Sequence, residues 1–241
     1  GLFKKNPFGH LLFIKLWIIR ILGALSHNRF KGFNELQIEG SEVIKKLPET
    51  NVLFVSNHQT YFADVVAMFH VFNASLSGRT DSIKNVGYLW RPKLNVYFVA
   101  AKETMKDGLL PKIMAYAGSV SIERTWRAEG KEVNRQVKMS DVSSISKALD
   151  DGWLITFPQG TTKPWKPIRR GTAHIIKKNK PIVVPIVIDG FRRSFDKKGL
   201  RIKKRGILQS FIIKEPLEID YENDTVDAIV EKIEMEECGF D

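Results

Sequence analysis

Strands buried on both faces cannot alternate apolar with polar residues, so they appear in a sequence as short unbroken apolar runs. NVLFVS (Asn51 to Ser56) and NVYFVAA (Asn95 to Ala101) have this form, each too short for a helix and rich in Val and Phe. Around them strands and helices take turns. NELQIEG (Asn34 to Gly40) alternates and ends on Gly, and TYFADVVAMFHVFNA carries apolar residues at helical spacing. LLPKIMAYAG is a helix closed by Gly118, and the strand SVSIER comes after it. SDVSSISKALDDG (Ser140 to Gly152) has a helix's Ser start and Gly stop, WLITFP is a strand ended by Pro158, and GTAHIIKK is helical. PIVVPIVI (Pro181 to Ile188) is a strand whose Pro185 predicts an edge or a bulge, and GILQSFIIKEPLEI closes the sheet. The alternation predicts an α/β fold: one domain with a mixed, mostly parallel sheet flanked by helices. The length of 241 residues and the 43% hydrophobic content suffice for one sizeable core.

Charge is unevenly placed. The net charge is +11, yet the stretch from Glu215 to Asp241 holds eleven acids and one lysine, so the remainder carries +21. A body that basic expects an anionic partner, either a nucleic acid or a phosphate-bearing membrane surface. The run FRRSFDKKGLRIKKRG has few stacking aromatics between its cations and matches no nucleic-acid-reading motif, so no nucleic-acid partner is expected. The single cysteine, Cys238, leaves no disulfide within the chain, which fits a reducing cytosol. HLLFIKLWIIRILGAL (His10 to Leu25) is strongly apolar but short for a span and interrupted by Lys15 and Arg20. It reads as an amphipathic, membrane-associating helix within residues 1–30. Leu12, Phe13 and Trp17 would insert, and Lys4, Lys5, Lys15 and Arg20 would lie near head groups. The expectation is a peripheral or monotopic protein on the cytoplasmic face of the cell membrane.

Of the five histidines, His10, His27, His70 and His174 have no local acid or metal-ligand partner. His58 differs. It comes just after a buried strand in an α/β chain, where such folds place ligands, and Asn57, Gln59 and Thr60 beside it can hydrogen-bond. Asp64 falls near it if the chain turns between them. A carboxylate on one imidazole nitrogen fixes the tautomer and leaves the other as a base near neutral pH. The plainer alternative is a helix N-cap with incidental polar neighbours. No metal-ligand spacing, phosphate loop of the G-x-x-x-x-G-K type or G-x-S-x-G elbow is present. A base at His58 would therefore act on a hydroxyl of the substrate.

The segment NHQTYFAD resembles the His-acid box of the 1-acylglycerol-3-phosphate acyltransferase (PlsC-like glycerolipid acyltransferase) superfamily. Three further segments resemble that family's motifs in order: GSVSIER (Gly118 to Arg124, including Glu123), FPQGTT (Phe157, Pro158, Gln159, Gly160, Thr161, Thr162) and VVPIVI around Pro185. The resemblance implies that residues 31–241 form the acyltransferase domain. It implies an O-acyltransferase that moves a fatty acyl group from acyl carrier protein or coenzyme A to the hydroxyl of a lysophospholipid, lysophosphatidic acid giving phosphatidic acid. It needs no cofactor or metal beyond the thioester co-substrate. His58 would be the general base and Asp64 would orient it. Arg124 and the loop from Gln159 to Thr162 would hold the acceptor's phosphate, Arg through a bidentate fork and the Gly loop through backbone N–H groups.

Two departures stand out. The family has four residues between His and Asp where this chain has five, Gln59 to Ala63, and one extra residue turns the acid by about 100° on a regular helix. The third motif's usual Glu and Arg are Gln159 and Thr162 here. A lost Arg–phosphate interaction costs about 1.5–3 kcal/mol, and Lys163, Lys166, Arg169 or Arg170 would have to supply it. The neutral loop keeps a second acceptor open, a hydroxylated amino-acid lipid. A non-enzymatic basic protein that binds lipid or nucleic acid is the third reading.

Overall fold

The computed structural model describes residues 1–102, 105, 108–123, 135–162 and 168–237, and only the backbone of 135–139. The chain runs α1 (Leu12–Ser26), β1 (Glu35–Glu39), α2 (Glu42–Lys45), β2 (Val52–Ser56), α3 (Ala63–Leu76), β3 (Val96–Ala101), α4 (Leu109–Ala117) and β4 (Ser119–Ile122). It continues with α5 (Arg135–Asp151), β5 (Trp153–Thr156), α6 (Arg170–Asn179), β6 (Ile182–Asp189), α7 (Phe191–Ser194), β7 (Leu208–Ile213) and α8 (Val226–Glu237). The seven strands form one sheet in the order β1-β7-β6-β2-β5-β3-β4. Every neighbouring pair is parallel except β6 with β7. This is the mixed, mostly parallel sheet that the apolar runs predict.

All five residues of β2 are buried. Val52 and Phe54 join the core on one face of the sheet, with α3, while Leu53 and Val55 join the other, with α5, α6 and α8. Each face thus has its own apolar layer, which is why the run could not alternate. β1, at the edge, buries only Leu36 and Ile38 and does alternate.

Three sequence readings are corrected. β7 does not close the sheet, because β1 pairs outside it. β6 is an interior strand despite Pro185, lying between β7 and β2. The Pro185 carbonyl accepts from Lys214 N–H at 2.9 Å, just past the end of β7. In an extended strand a residue's nitrogen faces the same side as its carbonyl, so the missing N–H falls where that ladder has already ended. Finally, α5 begins at Arg135 and not at Ser140.

The N-terminal helix is also oriented differently from expectation. Lys15 is fully buried, its Nζ 4.5 Å from the centroid of the Tyr97 ring and without a hydrogen-bond partner among the described residues. Burial lowers its pKa to about 8, partly opposed by Asp151. Arg20 donates to the carbonyls of Leu89 (3.2 Å) and Trp90, and its guanidinium lies over the rings of Trp17 and Trp90. Lys15 faces the core, and Arg20 is half-buried along the two Trp rings. The outward face is apolar: Phe13, Ile14, Trp17, Ile21 and Leu25 are all exposed. The two cations serve packing because aromatic faces and backbone carbonyls lie within reach of them. His70, inside α3, is likewise a packed residue, bonded to Tyr88 Oη at 2.7 Å and Ser26 Oγ at 2.9 Å. Burial lowers its pKa to about 3.

Candidate active site

β2, β5 and β6 run side by side and parallel, with Val55 opposite both Thr156 and Pro185. Their C-terminal ends therefore open at one edge of the sheet, the place where open α/β sheets bind ligands. The chain leaving β2 carries Asn57, His58 and Gln59. The chain leaving β5 carries Phe157 to Thr162, and the chain leaving β6 enters α7.

His58 Nδ1 lies 2.7 Å from Asp64 Oδ2. Since an ionised carboxylate only accepts, Nδ1 is the protonated nitrogen in this pairing. Nε2 has no hydrogen bond to the protein among the described residues. The imidazole is stacked on Phe157 with ring centroids 3.8 Å apart and 18° between planes. Its side chain keeps 14% of its surface, while that of Asp64 keeps none. The imidazole is thus held in place: one nitrogen is fixed by an acid and one face is covered by an aromatic ring.

The extra residue between His58 and Asp64 is absorbed by delaying the helix. Residues 59–62 form bends, and α3 begins only at Ala63, which puts Asp64 in its first turn. From there the carboxylate accepts Gln59 N–H (2.6 Å), Thr60 N–H (3.1 Å) and Thr60 Oγ1–H (2.9 Å). A carboxylate in the first turn also meets the positive end of the helix. A regular helix from His58 onward would have pointed the acid away, so the five-residue spacing works because those residues are not helical.

The neighbours lock this turn to β6. Asn57 donates to Ile188 O and accepts from Ile188 N–H, both at 2.8 Å. Gln59 Oε1 accepts from Phe191 N–H at 2.9 Å. Arg192, which the sequence reading passed over, donates to His58 O (3.1 Å) and to Thr162 O. It ties the first motif to the third from α7. Its one sequence signal was its position just after β6, at the same sheet edge.

The FPQGTT loop adjoins His58 through Phe157, and its Gln159, Thr161 and Thr162 are half-buried. Gly160 sits at φ +69°, and a Cβ there would come within 2.8 Å of Arg169 Nε, so the Arg169 side chain lies across this glycine. The Gly160 N–H donates to Phe157 O at 2.9 Å. Arg170 pairs with Asp227 of α8 and is spent there. Arg124, Lys163 and Lys166 lie outside the described residues.

The other motif residues are placed apart. Gly118 joins α4 to the start of β4, at the opposite end of the strands from His58. Glu123 comes directly after β4, three strand positions from β2. Its N–H donates to Asp141 at 2.9 Å and its carboxylate lies 3.8 Å from Lys102. Burial raises the pKa of Asp141. Pro185 lies within β6 and does not reach the opening. Among the described residues no cluster of His, Cys, Asp or Glu could hold a metal ion.

Comparison with known proteins adds a family. Residues 35–189 match the family model described as Acyltransferase. A 1-acyl-sn-glycerol-3-phosphate acyltransferase from Cocos nucifera is 27% identical over 204 residues, which are 83% of this chain and 56% of that protein. This chain therefore spans little more than half of that relative's length. The crystal structure of the 1-acyl-sn-glycerophosphate (LPA) acyltransferase, PlsC, from Thermotoga maritima shares the fold, with a TM-score of 0.59 and 20% identity over 91% of this chain and 75% of that one.

Proposed function

This chain belongs to the acyltransferase family, and on that premise we propose that it esterifies the free hydroxyl of lysophosphatidic acid with a fatty acyl group from an acyl-carrier-protein or coenzyme A thioester. The observation that carries the reading is the His58–Asp64 pair at 2.7 Å, in which Nε2 has no hydrogen bond among the described residues. Nε2 takes the proton of the acceptor hydroxyl as its oxygen attacks the thioester carbonyl. Asp64 stabilises the imidazolium that forms. The tetrahedral intermediate then collapses, the C–S bond breaks, and the departing thiolate recovers the proton from His58. No acyl-enzyme and no cofactor are required. Arg169 over Gly160 and Arg192 beside Thr162 are described cations at the third motif; Arg124 is the donor that the motif resemblance assigns to the phosphate, and Lys163 is a neighbouring cation in the sequence to replace the motif's missing Arg.

The neutral Gln159 and Thr162 favour a second acceptor, a hydroxylated amino-acid lipid. Values of kcat/KM for lysophosphatidic acid and for a hydroxylated N-acyl amino acid, measured with one donor, separate the two. Lysophosphatidic acid should win by about tenfold or more, a gap of about 1.4 kcal/mol in the barrier. The reverse order would end the phosphatidic acid assignment.

The place of action is a membrane surface, monotopic and on the cytoplasmic side. No described helix is long and apolar enough to cross a membrane, but α1 turns Phe13, Ile14, Trp17, Ile21 and Leu25 outward. Aromatic and aliphatic side chains in one exposed stripe are what an interfacial helix inserts. Because the other side of α1 buries Lys15 and Ile19, deleting the helix would uncover the core. Point changes make the cleaner test. The triple variant F13S/W17S/I21S should remain folded and lose most of its co-sedimentation with anionic vesicles. Undiminished co-sedimentation would reject the membrane role of this face.

A further inference from the structure

The turn that carries His58 and Asp64 has four backbone N–H groups ahead of α3, and Asp64 accepts only two of them, those of Gln59 and Thr60. The other two are met from a distant part of the chain. Tyr61 N–H donates to Lys197 O at 3.1 Å and Phe62 N–H donates to Lys198 O at 2.8 Å. Unfilled donors at a helix start favour rearrangement, so these two bonds help hold the turn in its non-helical form.

The acceptors sit on the tip of a small hairpin whose sides meet at the Phe195–Ile202 bridge. Asp196 shapes the tip: its Oδ1 accepts from the N–H groups of Gly199 (2.9 Å), Leu200 (3.0 Å) and Arg201 (3.2 Å). Gly199 is buried with φ +78°. A Cβ there would lie 2.5 Å from Ala63 N and 2.6 Å from Thr60 Oγ1. That hydroxyl is the one that donates to Asp64. The hairpin tip therefore rests against the first residue of α3 and against one of the groups that fix the carboxylate.

We infer that the hairpin tip from Asp196 to Gly199 is the brace that makes the five-residue spacing between His58 and Asp64 workable, with Gly199 and Asp196 as positioning residues. The inference rests on the reading of His58 as the base. A one-residue longer connection has no regular geometry of its own to hold the acid, so an external contact supplies it. Without the brace the turn would gain the freedom to wind into α3, which would swing Asp64 off the imidazole. Loss of that alignment lowers the chemical step and leaves substrate binding largely intact.

The test compares wild type, G199A, D196A and D196N by three readouts. These are kcat and KM with lysophosphatidic acid and an acyl thioester, the downfield proton NMR resonance of His58 Nδ1–H (assigned by its absence in H58Q), and thermal unfolding. G199A should lower kcat by roughly tenfold or more with both KM values within about threefold, and should broaden or erase the Nδ1–H resonance while the protein stays folded. D196A should do the same more weakly, and D196N should restore both readouts, because an amide oxygen accepts the same three N–H bonds. Wild-type kcat and resonance in G199A would overturn the inference. If G199A does not fold, D196A decides: an unchanged kcat and resonance there also overturns it. Should wild type acylate no lysolipid while G199A still loses the resonance, the brace stands and the acyl-transfer reading falls.

Discussion

His58→Ala should lower acyl transfer by roughly 100- to 10,000-fold, the span that general-base catalysis supplies, in a protein that remains folded. The fold survives because the ring sits at the mouth of the site, stacked on Phe157 and partly open to solvent. Asp64 stays satisfied as well, since Gln59 N–H, Thr60 N–H and the Thr60 hydroxyl still donate to it. No buried charge is stranded. What disappears is the only described imidazole at the sheet edge where β2, β5 and β6 end. Steady-state kinetics beside a thermal unfolding curve checks both halves of the expectation. Turnover within a few-fold of wild type would remove His58 from the mechanism.

Asp64→Asn should lower kcat by roughly 100-fold or more, through the imidazolium that it no longer stabilises. The geometry also predicts how the amide will lie. Asp64 Oδ2 takes His58 Nδ1 and the backbone N–H groups of Gln59 and Thr60, and the two backbone donors cannot reverse their role. Oδ1 faces the Thr60 hydroxyl at 2.9 Å, which can rotate to accept, and only the longer, 3.2 Å arm of the Thr60 N–H that Oδ2 also receives. The amide nitrogen will therefore take the Oδ1 position, and the His58 tautomer will be kept. The defect is then one of charge more than of geometry. Asp64→Ala goes further, leaving those donors without an acceptor, and should cost an additional 1–3 kcal/mol or so of stability. Denaturant unfolding of both variants, set against their kcat values, separates the two effects. An Asn variant as active as wild type would reduce Asp64 to a turn-former.

The acidic C-terminal stretch bears on the basic body as well. Asp227 pairs with Arg170, Glu222 with Lys180 and Glu236 with Lys214. Part of the charge that the sequence offers to an anionic partner is thus answered within the chain. The cations of the hairpin region, Lys197, Lys198, Arg201, Lys203, Lys204 and Arg205, remain exposed.

Sequence by itself determined the layers and the pairing of His58 with Asp64. Unbroken apolar runs such as Val52 to Val55, too short for a helix and rich in Val and Phe, are strands covered on both sides, and that pattern led to a largely parallel sheet. His58 and Asp64 are six residues apart, so their meeting needed only a turn between them, and the neighbours able to make it were visible in the same stretch. Tertiary structure alone decided what depends on strand order, because hydropathy records whether a residue is buried and not which strand lies beside it. Pro185 is interior because β7 ends where its missing donor would be needed. Lys15 is buried because the Tyr97 ring comes to lie under it. Arg192 reaches His58 across 134 positions of chain, and Lys197 and Lys198 reach Tyr61 and Phe62 from a hairpin beyond β6. Both arise because β6 pairs directly with β2 and delivers α7 and the hairpin to the same edge. Such contacts leave no periodic mark in a sequence, since each is one hydrogen bond between segments whose proximity only the completed sheet creates.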